Sequence, residues 1–398
     1  MAVRGIEARG GRRNGLAFLY DARVRAICYQ VLTVLLFLLA VGYLAHNTLQ
    51  NLATRGIASG FKFLYQPTGF GLAMSLLPYD ELSSYGRSYL VGVLNTLLVA
   101  SLGVVLATLL GFLVGIARLS NNWLLSRLAG MYVELVRNVP LLLQILLLYF
   151  GVLQTLPSLR ESLSIGGVVF LNIRGVFAPA PILQSGFAAI PIAFAVAVAA
   201  SFWIWRWARR RQRETGQPFQ TGWAAAALLL GLPAVAALLT GMPVSFEYPV
   251  LQGFNFQGGF VIIPEFVALL AALVLYTAAF IGEVVRAGIL AVSHGQTEAA
   301  RSLGLGDGQT LRLVVIPQAL RVIVPPLTSQ YLNLTKNSSL AAAVGFPDVV
   351  QIFSGTVLNQ TGQAIECVAM VMLVYFTISL SISFFMNWYN RRIALVER

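Results

Sequence analysis

Apolar residues in this chain gather into long unbroken runs instead of alternating with polar ones. Eight of them, at roughly 26–45, 90–116, 129–154, 187–205, 221–240, 263–285, 323–345 and 366–387, have the length a helix needs to cross a bilayer. Backbone left unpaired in hydrocarbon would leave its polar groups without partners, so helices are the expected element. The pattern predicts an all-α integral membrane protein with about eight transmembrane helices.

Polar residues inside these runs are few and regularly placed. On the seventh run Ser329, Asn333, Lys336, Asn337 and Leu340 recur at i, i+4, i+7, i+8 and i+11, one helical face. Such a stripe either lines a hydrated pathway, with Lys336 able to attract a carboxylate, or bonds to a neighbouring helix, a partner subunit's included. Glu134 with Arg137 and Glu283 with Arg286 are i, i+3 pairs near helix ends, and each is expected to be a structural ion pair. Gly111 and Gly115 form a small-xxx-small pair suited to close helix approach.

Composition agrees with a bilayer environment: of 398 residues 58% are hydrophobic and only 11% charged, with a mean hydropathy of +0.77. Basic residues then give an orientation, because they are retained on the cytoplasmic side of a span. Arg4, Arg9, Arg12, Arg13, Arg23 and Arg25 precede the first run, which is too long for a cleaved signal and reads as a retained anchor. Arg118 and Arg127, the cluster Arg206 to Arg213, then Arg286, Arg301, Arg312 and Arg321, and finally Arg391, Arg392 and Arg398 fall on that same side. The opposite side holds only Arg55, Lys62, Arg87, Arg160 and Arg174. Both termini are therefore expected in the cytoplasm. The net charge of +12 belongs to these flanks, which face membrane lipid and form no stripe for nucleic acid.

Recognisable catalytic or metal-binding chemistry is missing. Cys28 and Cys367 fall within spans, and His46 and His294 have no clustered ligand partners, so neither a structural disulfide nor a zinc site is expected. A phosphate-cradling loop needs Gly directly before its lysine, whereas the two lysines follow Phe61 and Thr335. No G-x-S-x-G elbow occurs either. No catalytic, cofactor-binding or metal-binding residue is assigned.

One cytoplasmic segment stands apart. "EAARSLGLGDGQTLRLVVIPQALR", residues 298–321, lies between the sixth and seventh runs. Ser293 and Gln296 have capping-box spacing and start a short helix through "GQTEAARSL", which Gly304 ends. A second helix through "QTLRLVVIP" is expected to run to Pro317, with Pro325 and Pro326 opening the next span. Ala299, Ala300, Leu303 and Leu305 offer a small apolar surface beside Glu298 and Arg301. It reads either as an amphipathic helix resting on the membrane or as a knob for a protein groove.

The Glu-Ala-Ala, Gly304 and Ile316-Pro317 spacing resembles the signature loop of importer-type ABC transporter membrane subunits. "NTLLVASLGVVLATLLGFLVGIARLS", "YVELVRNVPLLLQ", "AAFIGEVVRAGILAVSHGQTEAARSLG" and "IPQALRVIVPPLTSQYLNLTKNSSLAAAVG" extend the resemblance to the polar-amino-acid uptake permeases. "NTLQNLATRGIASGFKFL" and an inserted helix pair look like the longer subunits of general L-amino acid importers. Arg137-Asn138-Val139-Pro140 and Lys336-Asn337-Ser338-Ser339 depart from the commoner family wording, which leaves substrate range open.

The resemblance implies a type I ABC importer permease core with an inserted helix pair, in a multi-pass protein of the bacterial inner membrane. Its parts are a cytoplasmic tail at 1–25, a first helix at 26–45, a periplasmic segment at 46–87, a permease domain at 88–390 and a tail at 391–398. The permease domain carries an insertion at about 155–262 and a coupling loop at about 288–322. Glu298, Ala299, Ala300, Arg301, Leu303, Gly304 and Leu305 would dock into a separate ATPase, which holds the ATP and Mg. The implied partners are two ATPase subunits, a second homologous permease in a heterodimer, and a periplasmic amino-acid-binding protein. The outer loops 46–88, 155–186 and 241–262 would contact that protein or cover the pore. An importer of another small polar solute is the nearest alternative. An ion-coupled secondary carrier is the more distant one, because no internal repeat is evident.

Overall fold

The computed structural model describes residues 22–54 and 59–393. Arg4, Arg9, Arg12, Arg13, Arg55 and Arg398 lie outside them. Among the described residues seven helices are long and apolar enough to cross a membrane, and one bent pair brings the number to eight. In chain order the long helices are α1 (Ala22–Thr54), α2 (Tyr85–Arg118), the pair α3 (Trp123–Asn138) and α4 (Leu141–Leu146), α5 (Ala189–Thr215), α6 (Thr221–Leu239) and α7 (Pro264–Leu290). Beyond them come the short α8 (His294–Ser302) and α9 (Asp307–Thr310), then α10 (Ile316–Asn337), α11 (Leu358–Thr361) and α12 (Ala364–Ile393).

The bundle centres on α2 and α7, and glycine brings them together as the small-xxx-small spacing predicts. A Cβ at Gly111 would lie 2.5 Å from Ile281 Cγ2, and one at Gly115 would lie 2.8 Å from the Gly282 carbonyl oxygen. Gly288 plays the same part where α7 crosses α10 at Ile323. Around these crossings Ala107, Ile281, Val285, Ile323, Leu327, Leu334 and Met386 form one buried cluster. With no hydrophobic drive between helices in lipid, close contact of this kind holds the bundle together.

Two expectations about span boundaries are corrected. The run at 129–154 is not one helix: α3 and the Leu141–Thr155 segment meet at 106°. Pro140 forces Val139 out of the helical region, to φ −105 and ψ 129, and ends α3 there. Gln144 then reaches back, its Nε2 donating to the carbonyls of Val136 at 2.8 Å and Val139 at 2.9 Å. The loop helix also does not stop at Pro317. Asp307 to Val344 is one long apolar span, with a π turn at Leu311–Val315 joining α9 to α10. Pro317 sits in the first turn of α10, where its missing N–H is no loss, and Pro325 and Pro326 lie inside α10. Membrane helices tolerate such prolines because neighbouring groups take up the freed carbonyls.

The helical class stands, and the insertion adds short strands to it. β1 (Leu163–Ile165), β2 (Val169–Asn172), β3 (Gly175–Ala178) and β8 (Phe260–Ile262) make an antiparallel sheet in the order β1-β2-β3-β8. β4 (Ala180–Leu183) pairs with β5 (Val244–Glu247), and β6 (Val250–Gln252) with β7 (Asn255–Gln257). Phe256 is buried between Phe170 and Phe177, its ring centroid 4.8 and 4.7 Å from theirs. These strands bring together the two ends of the insertion, between which α5 and α6 form a hairpin packed on each other.

Candidate functional site

The segment between α7 and α10 projects as an elbow. Ser293 stands at the helix N-cap, but its side chain makes no capping bond, contrary to the capping-box expectation. Gln296 is engaged elsewhere: its Oε1 accepts from Gln318 Nε2 at 3.1 Å, tying α8 to α10. Gly304 ends the helix as its sequence position predicts, at φ +78, a left-handed conformation that a Cβ would disfavour. The Gly304 and Leu305 amides then donate to the carbonyls of Arg301 and Ala300 at 2.9 and 3.2 Å.

The elbow divides the seven expected docking residues. Glu298, Ala299, Arg301, Leu303 and Gly304 are exposed, with Leu303 82% accessible, and Leu305 is half-buried. Ala300 does not belong to the outward surface, being only 4% exposed where α8 packs on the segment that follows it. Arg301 Nη2 pairs with Asp307 Oδ1 at 3.0 Å, bracing the turn from outside.

The polar stripe on α10 is also laid out as one face. Ser329, Asn333 and Lys336 are exposed and Asn337 is half-buried. Among the described residues none of these four side chains finds a hydrogen-bond partner, whereas Leu334 and Thr335 between them are fully buried.

The two expected ion pairs differ. Glu283 binds Arg286, with Nη2 to Oε1 at 2.7 Å. It also binds Arg118 at the end of α2, a partner that spacing along one helix cannot reveal. Glu134 and Arg137 do not form the expected pair, nor does either join any other ion pair among the described residues. The Arg137 guanidinium instead lies over the Phe280 ring of α7, 4.9 Å from its centroid. The packing of α3 on α7 is what brings that ring within reach.

A further polar seam had no separate signal in the sequence pattern. Asn95 Nδ2 donates to the Pro347 carbonyl at 2.8 Å, and Thr96 Oγ1 accepts from the Val349 amide at 3.2 Å. Asp348, 1% exposed, accepts from the Gln351 amide at 2.8 Å and from Tyr375 at 3.2 Å. This seam fastens the chain between α10 and α12 to α2. The bonds it makes hold the seam in place, although the buried Asn95 Oδ1 finds no partner among the described residues.

A helix bundle of this length and hydropathy, with an unpaired polar stripe and a projecting elbow, defines a membrane-spanning transport subunit. Residues 107–395 match the family described as binding-protein-dependent transport system inner membrane component. The chain belongs to that family. It is 54% identical over 375 residues to the putative amino-acid ABC transporter permease protein YhdX of Escherichia coli (strain K12), covering 94% of this chain and 95% of that one. It is 52% identical over 380 residues to the general L-amino acid transport system permease protein AapQ of Rhizobium johnstonii, covering 96% and 95%. The glutamate/glutamine/aspartate/asparagine transport system permease protein BztB of Rhodobacter capsulatus matches over the full length of both chains at 43% identity.

Proposed function

We propose that this chain is the pore-forming subunit of an importer that moves L-amino acids from the periplasm to the cytoplasm, powered by ATP hydrolysis on separate subunits. The names of three relatives matching at least 94% of the chain support the cargo class. The observation that carries the mechanism is the elbow. α8 and Gly304 hold Leu303 and Glu298 outward on a rigid mount between α7 and α10, a shape suited to a groove on another protein.

In this reading the elbow and both termini face the cytoplasm, a placement that the arginine distribution supports. Two ATPase subunits grip the elbow and hold the ATP and Mg. A second, homologous permease completes the pore as a heterodimer, and a periplasmic binding protein delivers the amino acid. ATP binding draws the ATPases together, and α7 and α10 carry the movement to the cavity. Coupling requires the elbow to dock with different free energy in the outward-open and inward-open states. Lys336, with Ser329, Asn333 and Asn337, lines the path and attracts the substrate carboxylate.

Glu298→Lys tests the elbow, because the exposed Glu298 side chain has no hydrogen-bond or ion-pair partner among the described residues. The variant should insert normally and lose ATP-driven uptake by about tenfold or more, the size of a typical coupling free energy. Gly304→Trp should also lose uptake: the added bulk meets open space, but any side chain at φ +78 strains the turn, so normal insertion has to be shown for this variant beside the uptake measurement. Uptake at the unaltered rate in both variants refutes the docking role.

A further inference from the structure

The C-terminal half of α5 carries an arginine and tryptophan array that the transport reading leaves unused. Phe202, Arg206, Arg209 and Arg213 recur at i, i+4, i+7 and i+11, one face of the helix. Ala197 and Ala208, the buried positions of α5, lie on the opposite face, and the close neighbour of α5 is α6. The arginine face therefore points away from the hairpin's own partner.

The side chains there are arranged to receive an anion. The Arg209 guanidinium stacks 3.9 Å from the Trp205 ring centroid, and Arg206 lies 5.9 Å from that of Phe202. Stacking on a ring holds a guanidinium in place while leaving its N–H edge free for a bidentate acceptor. Of the arginines between 206 and 213 only Arg210 has a carboxylate partner among the described residues, Glu214 at 2.9 Å. Arg206, Arg209, Arg210 and Arg213, with Phe202, Trp203, Trp205 and Trp207, border an open cleft of about 700 Å³ among the side chains of α5 alone. Trp203, 78% exposed, stands on the apolar side of this cleft.

We propose that this cleft binds the headgroup of an anionic phospholipid. Arg206, Arg209 and Arg213 take the phosphate oxygens, and the acyl chains run along Phe202 and Trp203 toward the apolar half of α5. The position suits this occupant: the apolar stretch ahead of Phe202 belongs in hydrocarbon, and aromatic and basic residues gather where a span leaves it. An excess of four positive charges over Arg206 to Glu214 complements a negatively charged leaflet surface. The inserted hairpin is thereby pinned at a fixed depth and rotation beside the transport core.

The test is binding of tail-labelled phosphatidylglycerol and phosphatidylcholine to the purified full-length chain in neutral detergent, followed by fluorescence polarisation. The wild type should prefer phosphatidylglycerol. The triple substitution Arg206→Gln, Arg209→Gln, Arg213→Gln should weaken that binding by on the order of a hundredfold and leave phosphatidylcholine unaffected. Removing equal charge at Arg87, Arg160 and Arg174 should change neither. Equal loss in both triple variants, or full retention in the first, overturns the proposal. Wild-type protein gives a readout independent of folding. Raising salt from about 0.05 M to about 0.5 M should release phosphatidylglycerol selectively, and salt-insensitive binding counts against the site.

Discussion

The contact between α2 and α7 makes a quantitative demand on two glycines. A Cβ at Gly111 would stand 2.5 Å from Ile281 Cγ2 and 3.1 Å from the Ala278 carbonyl oxygen. Ordinary carbon contacts begin near 3.5 Å, so Gly111→Ala requires the helices to part by about 1 Å or Ile281 to leave its rotamer. Overpacking of that kind costs about 1–3 kcal/mol, while the better helix propensity of alanine returns up to about 1 kcal/mol. With that gain in full, the net expectation is a loss of up to about 2 kcal/mol. Gly115→Ala should be at least as damaging, because its Cβ meets the Gly282 backbone oxygen at 2.8 Å, and backbone cannot rotate away. Gly130 on α3 supplies the control: a Cβ there meets nothing within 4 Å, so Gly130→Ala should stabilise by about 0.5–1 kcal/mol. The assay is the denaturation midpoint of purified protein in mild detergent. Adding Ile281→Ala to Gly111→Ala should recover part of the loss, a favourable coupling in a double-mutant cycle. The same upward shift for Gly111→Ala and Gly130→Ala would refute the close approach.

Lys336→Ala should reduce uptake of anionic and zwitterionic amino acids while leaving ATPase association intact; unchanged uptake in reconstituted vesicles would assign the stripe to packing. Gln144→Leu removes both donors to the α3 carbonyls and should destabilise the protein by about 1–3 kcal/mol, read as a lower denaturation midpoint; an unshifted midpoint counts against the brace. Glu283→Gln strands two partly buried arginines and should cost more than Arg118→Gln or Arg286→Gln alone, a ranking the same denaturation series checks.

Membrane spans were legible from the chain because the bilayer acts on each segment separately: about twenty apolar residues suffice, whatever they later touch. For the same reason Gly304 could be read as a helix stop and Gly111 with Gly115 as a contact stripe, since each depends on residues within one or two turns. The elbow was legible in position, but the exposure of its members was not. Ala300 looks interchangeable with Ala299 in sequence, and only the packing of α8 on the segments after it leaves one exposed and the other buried. Short strands of three or four residues between 163 and 262 gave no usable periodicity and depend on partners up to some eighty positions away, as in the pairing of β3 with β8.

Local chemistry along the chain thus determined which segments are long and apolar enough to cross a membrane and where the exposed elbow lies. Tertiary structure decided who meets whom. Arg118 joins Glu283 because α2 ends beside α7, and Arg137 lies over Phe280 and not against Glu134 because α3 lies against α7. In lipid there is no solvent to sort polar side chains by exposure alone, so their partners are chosen by which helices come into contact, and that choice is made only when the bundle closes.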